Sequence, residues 1–158
     1  MPAVILIIED NPPNLQLMSY LLRAFGHFVV EARDGAEGCE LARTELPDLI
    51  LCDLQMPALD GYEVLRRIKS QAKHRNTAVV AVTALAMVGD RDKTLAAGFD
   101  GYMAKPISPE SFIGDVEAFL PPQRRTSDGR RSHCPSSGTP ISVNAGISVD
   151  TGPVTAGN

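Results

Sequence analysis

Residues 4–14 read VILIIEDNPPN, an aliphatic run from Val4 to Ile8 that stops at two adjacent carboxylates, Glu9 and Asp10. A run of that length and branching suits a strand buried on both faces of a parallel sheet. Two other short runs stop the same way. Residues 49–52 lead into Asp53, and residues 101–104, which follow the run at 79–82, lead into Lys105-Pro106. In open parallel sheets, ligands bind where the strands end. The three pieces therefore make one site, a carboxylate cage with one facing lysine.

Working outward, five strand and helix pairs fill residues 1–120. The strands are expected at 4–8, 28–32, 49–52, 78–82 and 101–104, and helical patterns at 12–25, 35–45, 61–69, 88–97 and 109–119. In the first helix Leu15, Met18, Leu21, Leu22 and Phe25 share a face. Asp34, Asp60 and Ser108 stand where N-caps are wanted, Pro109 fits a first turn, and Gly26 and Gly98 follow helices where left-handed backbone is useful. The fold class is α/β, a doubly wound sandwich.

Composition changes at Pro121-Pro122. The stretch from Arg124 onward is rich in Ser, Gly, Pro and Thr and has no Leu, Phe, Tyr or Met, so residues 121–158 are expected to be a low-complexity, disordered tail. Its paired arginines, Arg124-Arg125 and Arg130-Arg131, suit an acidic partner or simple solvation. It leaves little room for an output domain.

Charge divides at the same point. Residues 1–120 carry 11 Lys or Arg against 17 Asp or Glu, and residues 121–158 carry 4 against 2, within a total of −4. An acidic domain argues against direct DNA binding, which needs a cationic surface. No stretch reaches the length of a membrane span, and the first residues lack the basic flank of a signal peptide, so a cytoplasmic protein is expected. Cys39, Cys52 and Cys134 are scattered, without zinc or redox spacing, and read as reduced thiols. Cys52 adjoins Asp53 and reads as a small apolar strand residue before an oxidation sensor. His27, His74 and His133 have no metal-spaced partners and receive no role.

A dinucleotide fold would place glycines after the first strand, whereas this chain has EDNPPN there. Carboxylates repel a phosphate and gather a hard divalent cation. Three of them within about 4 to 6 Å repel by roughly 3–4 kcal/mol per pair at an effective dielectric near 20. A magnesium ion relieves that repulsion and screens the approach of a phosphoryl donor to Asp53.

With those motifs in order, residues 4–120 resemble the receiver domain of two-component response regulators. Glu9-Asp10 match the acidic pair, Asp53 in DLQMPALDG the phosphoacceptor, Thr83-Ala84 the switch hydroxyl and its small neighbour, and Tyr102 with Lys105-Pro106 the signature of the last strand. The stretch from Val79 to Ser108 is similar to stand-alone regulators of the DivK type and to receivers of hybrid histidine kinases. The resemblance implies a flavodoxin-like, five-stranded sheet in the order 2-1-3-4-5 with five helices. It also implies that Asp10, Asp53 and the backbone carbonyl of Gln55 bind Mg²⁺, with Mn²⁺ as an alternative, and that Glu9 acts through water or completes the set. Asp53 would take a phosphoryl group from a histidine kinase or histidine phosphotransfer protein. Lys105 and Thr83 would contact the phosphoryl oxygens. Thr83 and Tyr102 would then reshape the 88–119 face, which would bind a downstream protein or form a phosphorylation-dependent homodimer. Pro106 would follow a cis peptide, and Asn14 would serve the geometry of the first helical turn.

Read singly, each motif has a plainer meaning. Glu9-Asp10 could be a solvated turn, Asp53 a cap, Lys105 a surface charge, Thr83 a strand end and Tyr102 a core aromatic. Asp60-Gly61 reads as a turn and helix cap. The alternatives to a single-domain regulator are a scaffold that is never phosphorylated, a receiver fragment of a larger hybrid kinase, and an aspartyl phosphatase. The last usually needs an acid two residues after its nucleophile, where this chain has Gln55. The only catalysis expected is self-phosphorylation and self-dephosphorylation, not that of a conventional enzyme. Gln55 and a bulky Leu85 depart from the commonest receiver pattern, and Leu85 is expected to lengthen the phosphoryl lifetime by hindering water. Pro12-Pro13 is unusual but compatible with a helix start, where amide hydrogens lack intrahelical acceptors.

Overall fold

Five aliphatic runs become five parallel strands: β1 (Val4–Ile8), β2 (Phe28–Ala32), β3 (Leu49–Asp53), β4 (Ala78–Thr83) and β5 (Gly101–Ala104). The structure is a computed structural model and describes residues 2–84 and 89–124. The strands form one sheet in the order β2-β1-β3-β4-β5. Helices α1 (Pro12–Ala24), α2 (Gly35–Glu45), α3 (Gly61–Lys69), α4 (Asp90–Ala96) and α5 (Pro109–Glu117) connect them.

Strand side chains alternate between faces, and the core divides accordingly. Ile5, Ile7, Leu49, Leu51, Val80 and Val82 pack with Leu15, Met18 and Leu22 of α1 and with Phe112, Ile113 and Val116 of α5. On the other face Leu6, Ile8, Ile50, Cys52, Val79 and Ala81 pack with Ala42 of α2 and with Val64, Leu65 and Ile68 of α3. Burial on both faces explains why the central strands read as continuous apolar runs. The chain leaves β1 for β2 on one side and returns to β3 on the other, which opens a crevice at the carboxyl ends of β1 and β3.

Local chemistry sets the helix starts. The Asp34 and Asp60 carboxylates accept the amides of Glu37 and Glu63 as N-caps. The double proline opens α1 behind an Asn11 cap whose side chain accepts the Asn14 N–H at 3.1 Å. Gly26 and Gly98 have φ of 90° and 118°, the left-handed backbone expected of them. Ser108 stands at the N-cap of α5 but does not cap it, because its hydroxyl instead donates to Glu110 at 2.9 Å.

Several boundaries differ from expectation. β3 and β4 extend by one residue to take in Asp53 and Thr83, α1 ends at Ala24, and α5 ends at Glu117. α4 starts at Asp90, and the Val88 start expected for it lies outside the described residues, as do Leu85, His133, Cys134 and the tail beyond Arg124. The first residues of that tail depart from the disorder expected at 121. Pro122–Arg124 form a 3-10 turn, in which Arg124 donates to the Pro2 carbonyl at 2.9 Å and pairs with Asp48 at 3.7 Å.

Two histidines left without a role are structural. His74, in a 3-10 turn at Ala72–His74, is buried between the Ala42 carbonyl at 2.6 Å and the Thr77 hydroxyl at 3.1 Å. His27, also buried, accepts the Ala3 N–H on Nδ1 at 3.1 Å, so its ring proton sits on Nε2 and donates to Glu117 at 2.7 Å. Among the described residues no helix is long and apolar enough to cross a membrane.

Candidate functional site

The crevice gathers side chains from three strand ends. Glu9 and Asp10 follow β1, Asp53 ends β3 and Lys105 follows β5. Carboxylate oxygens of Glu9, Asp10 and Asp53 all lie within 4.8 Å of one another. The Lys105 ammonium reaches Glu9 Oε1 at 2.8 Å and Asp53 Oδ2 at 3.4 Å. Backbone amides hold the acids in place: Asn11 N–H donates to Glu9 Oε2 at 3.1 Å, and Gln55 N–H to Asp53 Oδ1 at 3.2 Å. The Lys105 main chain is fixed by its N–H to the Thr83 carbonyl at 2.9 Å, ahead of a cis peptide to Pro106.

Burial sets the electrostatics. Glu9 is 1% exposed and Asp53 4%, and Asp10 is more open. Burial pushes the Glu9 carboxyl above its usual range; the Asp53 charge adds to this, and Lys105 opposes it. The Asp53 carboxyl is raised by burial as well, against the pull of Lys105 and the Gln55 amide. One ammonium thus contacts two of the three clustered acids, and Glu9 Oε1 has no hydrogen-bond donor beyond its ion contact. The set is deficient in positive charge and rich in hard oxygen, which fits Mg²⁺.

The other expected residues flank this centre. Thr83 is fully buried at the end of β4, and Tyr102 is half-buried on β5, paired in register with Ala81. Gln55 is exposed in the loop after β3. Cys52 is completely buried against β3's neighbours, and burial raises its thiol well above the ordinary value, which suits a core residue.

Gly61, read from sequence as part of a turn, proves to be a contact. A Cβ there would meet the Asp53 carbonyl at 2.5 Å and Leu54 Cα at 2.8 Å. Both are main-chain atoms and cannot move aside cheaply. Gly61→Ala is therefore expected to cost about 1–3 kcal/mol by overpacking, measured by urea unfolding. The sequence signal, Asp-Gly before a helix, is shared by many ordinary turns.

A doubly wound sheet of this strand order, carrying an acid cage and a lysine at its carboxyl edge, defines the CheY-like class. The chain belongs to the response regulator receiver domain family, whose pattern matches residues 5–117. It is 40% identical over 120 residues to the polar-differentiation response regulator DivK of Brucella anthropi, covering 76% of this chain and 98% of that protein. The DivK of Brucella ovis is 39% identical with the same coverage. Among solved structures, chemotaxis protein CheY4 of Vibrio cholerae superimposes with a TM-score of 0.72 at 26% identity, covering 76% of this chain and all of that one. The receiver domain of sensor histidine kinase PA1611 of Pseudomonas aeruginosa, with a magnesium ion coordinated in its active-site cleft, gives 0.69 at 34% identity over 75% of this chain and 98% of that one.

Proposed function

We propose that this receiver is a single-domain response regulator, with residues 1–120 as its receiver. In this reading Asp53 accepts a phosphoryl group from a phosphohistidine on a histidine kinase or histidine phosphotransfer protein. The observation that carries the reading is the Asp53 carboxylate, buried at the end of β3 and facing Lys105 with two further acids within 4.8 Å.

An Asp53 oxygen attacks the phosphorus in line, the P–O bond forms as the P–N bond breaks, and the histidine nitrogen keeps the electron pair. Asp10, Asp53 and the Gln55 backbone carbonyl would hold Mg²⁺, or Mn²⁺ in its place, with Glu9 completing the set. The ion, when bound, offsets the charge between donor and acceptor. Lys105 meets a phosphoryl oxygen as a point cation, and the Thr83 hydroxyl donates to another. Thr83 and Tyr102 then bias two packings of the 88–119 face. That face meets a downstream protein or a second copy. The acidic domain leaves no role in direct DNA binding, and the protein acts in the cytoplasm.

Intact mass after incubation with acetyl phosphate tests this. A single phosphoryl adduct on wild type that requires Mg²⁺, and that is absent from Asp53→Asn, is the expected result. Tight Mg²⁺ binding without an adduct would instead favour a scaffold.

A further inference from the structure

Helix α4 is poorly equipped to hold its own position. It has seven residues and an N-cap at Gly89, with φ of 92°, which has no side chain to cap the first turn. Helices of about two turns gain little from their own hydrogen bonds and depend on packing. Among its side chains only Thr94 is buried.

The group that meets Thr94 is Tyr62 of α3. The two hydroxyl oxygens lie 3.3 Å apart. The Tyr62 ring stands edge-on to Phe99, with centroids at 5.9 Å and planes at 80°, and the Lys93 ammonium lies 5.7 Å from the ring centre. One α3 side chain therefore gathers α4 and the residue that leads toward β5. Tyr62 also follows Gly61, whose backbone is packed on the Asp53 carbonyl. Gly61 N–H also donates to the Leu54 carbonyl at 3.0 Å, so the main chain that follows Asp53 is bonded to the residue next to Tyr62. On the β5 side, burial raises the Tyr102 phenol, and the Asp90 carboxylate of α4 and then Tyr62 add to it.

We infer that Tyr62 is a positioning residue of the phosphorylation response: its bond to Thr94 holds α4 in the packing described, and Asp53 phosphorylation acts on α4 through this contact as well as through Thr83 and Tyr102. The inference rests on the phosphoacceptor reading of Asp53.

Amide hydrogen exchange over residues 90–96 of the full chain tests it, with and without acetyl phosphate and Mg²⁺. The variants are Tyr62→Phe, Thr94→Val, their double, and Thr94→Ser. Tyr62→Phe keeps the ring against Phe99 and Lys93 and removes only the hydroxyl. Without phosphate, Tyr62→Phe and Thr94→Val should each speed exchange in 90–96 by roughly threefold to tenfold, the worth of one net hydrogen bond. The double should be no faster than either, because the two changes remove the same contact, and Thr94→Ser should restore protection. Exchange in β1 and β3 should stay at the wild-type rate, which separates this effect from general unfolding. With phosphate, the change in 90–96 protection seen in wild type should shrink in Tyr62→Phe while adduct yield is unchanged.

Wild-type exchange in Tyr62→Phe, additive effects in the double, or an undiminished phosphate response would each overturn the inference. A wild-type protein that takes no adduct would instead overturn the phosphoacceptor reading, and with it the response half. The mass spectrum identifies that failure separately from the exchange comparison without phosphate.

Discussion

His27→Ala should destabilise the domain by about 3 kcal/mol, because it removes the ring N–H that donates to the buried Glu117 carboxylate. His27 and Glu117 side chains are 0% and 3% exposed and meet at 2.7 Å. The same change removes the acceptor of the Ala3 N–H. A loss of that size is a large part of the 5–15 kcal/mol typical of a domain, so the urea midpoint should fall steeply. Glu117→Gln keeps the shape and an acceptor for the ring N–H and should cost less. If His27→Ala moves the midpoint no more than a surface substitution does, the pair is not holding α5 to the amino edge of the sheet.

Magnesium should raise stability strongly at pH 8 and hardly at pH 4. Burial lifts the Glu9 and Asp53 carboxyls above their ordinary values of 4.5 and 3.8. A carboxyl raised in the folded state leaves the metal-free protein most stable below the unfolded values, and that stability is lost as pH rises through the folded ones. Mg²⁺ binds the deprotonated cage, so it acts where the metal-free protein is weakest and competes with protons below. At a hundredfold excess over its dissociation constant, a ligand adds about 2.7 kcal/mol. Asp10→Ala should weaken Mg²⁺ binding by at least roughly tenfold, about 1.4 kcal/mol, by taking one carboxylate from the three that converge. Urea titrations at the two pH values, with and without Mg²⁺, check both points. A stabilisation that is equal at pH 4 and pH 8 would show that the cation binds elsewhere.

Much of the fold was legible because the strands are buried on both faces and so appear as unbroken aliphatic runs, and because Asp34 and Asp60 cap in the ordinary way. The acids were legible too, since each stands where a run stops, and the sheet brings Glu9, Asp10 and Asp53 together as their positions suggest. Much of what escaped depends on partners distant in sequence. His27 finds Glu117 ninety positions away, and no local spacing announces that. His74 serves a carbonyl of α2, and Tyr62 finds Thr94 across two helices. Leu46 ends α2 in left-handed backbone at φ 49° without being glycine, so a rule built on glycine passes over it. Ser108 had a cap's position, but its hydroxyl had a competing acceptor in Glu110.

The clasp between Arg124 and the Pro2 carbonyl brings both ends of the described chain to one pole of the sheet. The acids occupy the other pole, at the far end of strands that rise about 3.3 Å per residue, so roughly 17 Å lies between them. Neither end of the described chain therefore obstructs the mouth of the crevice.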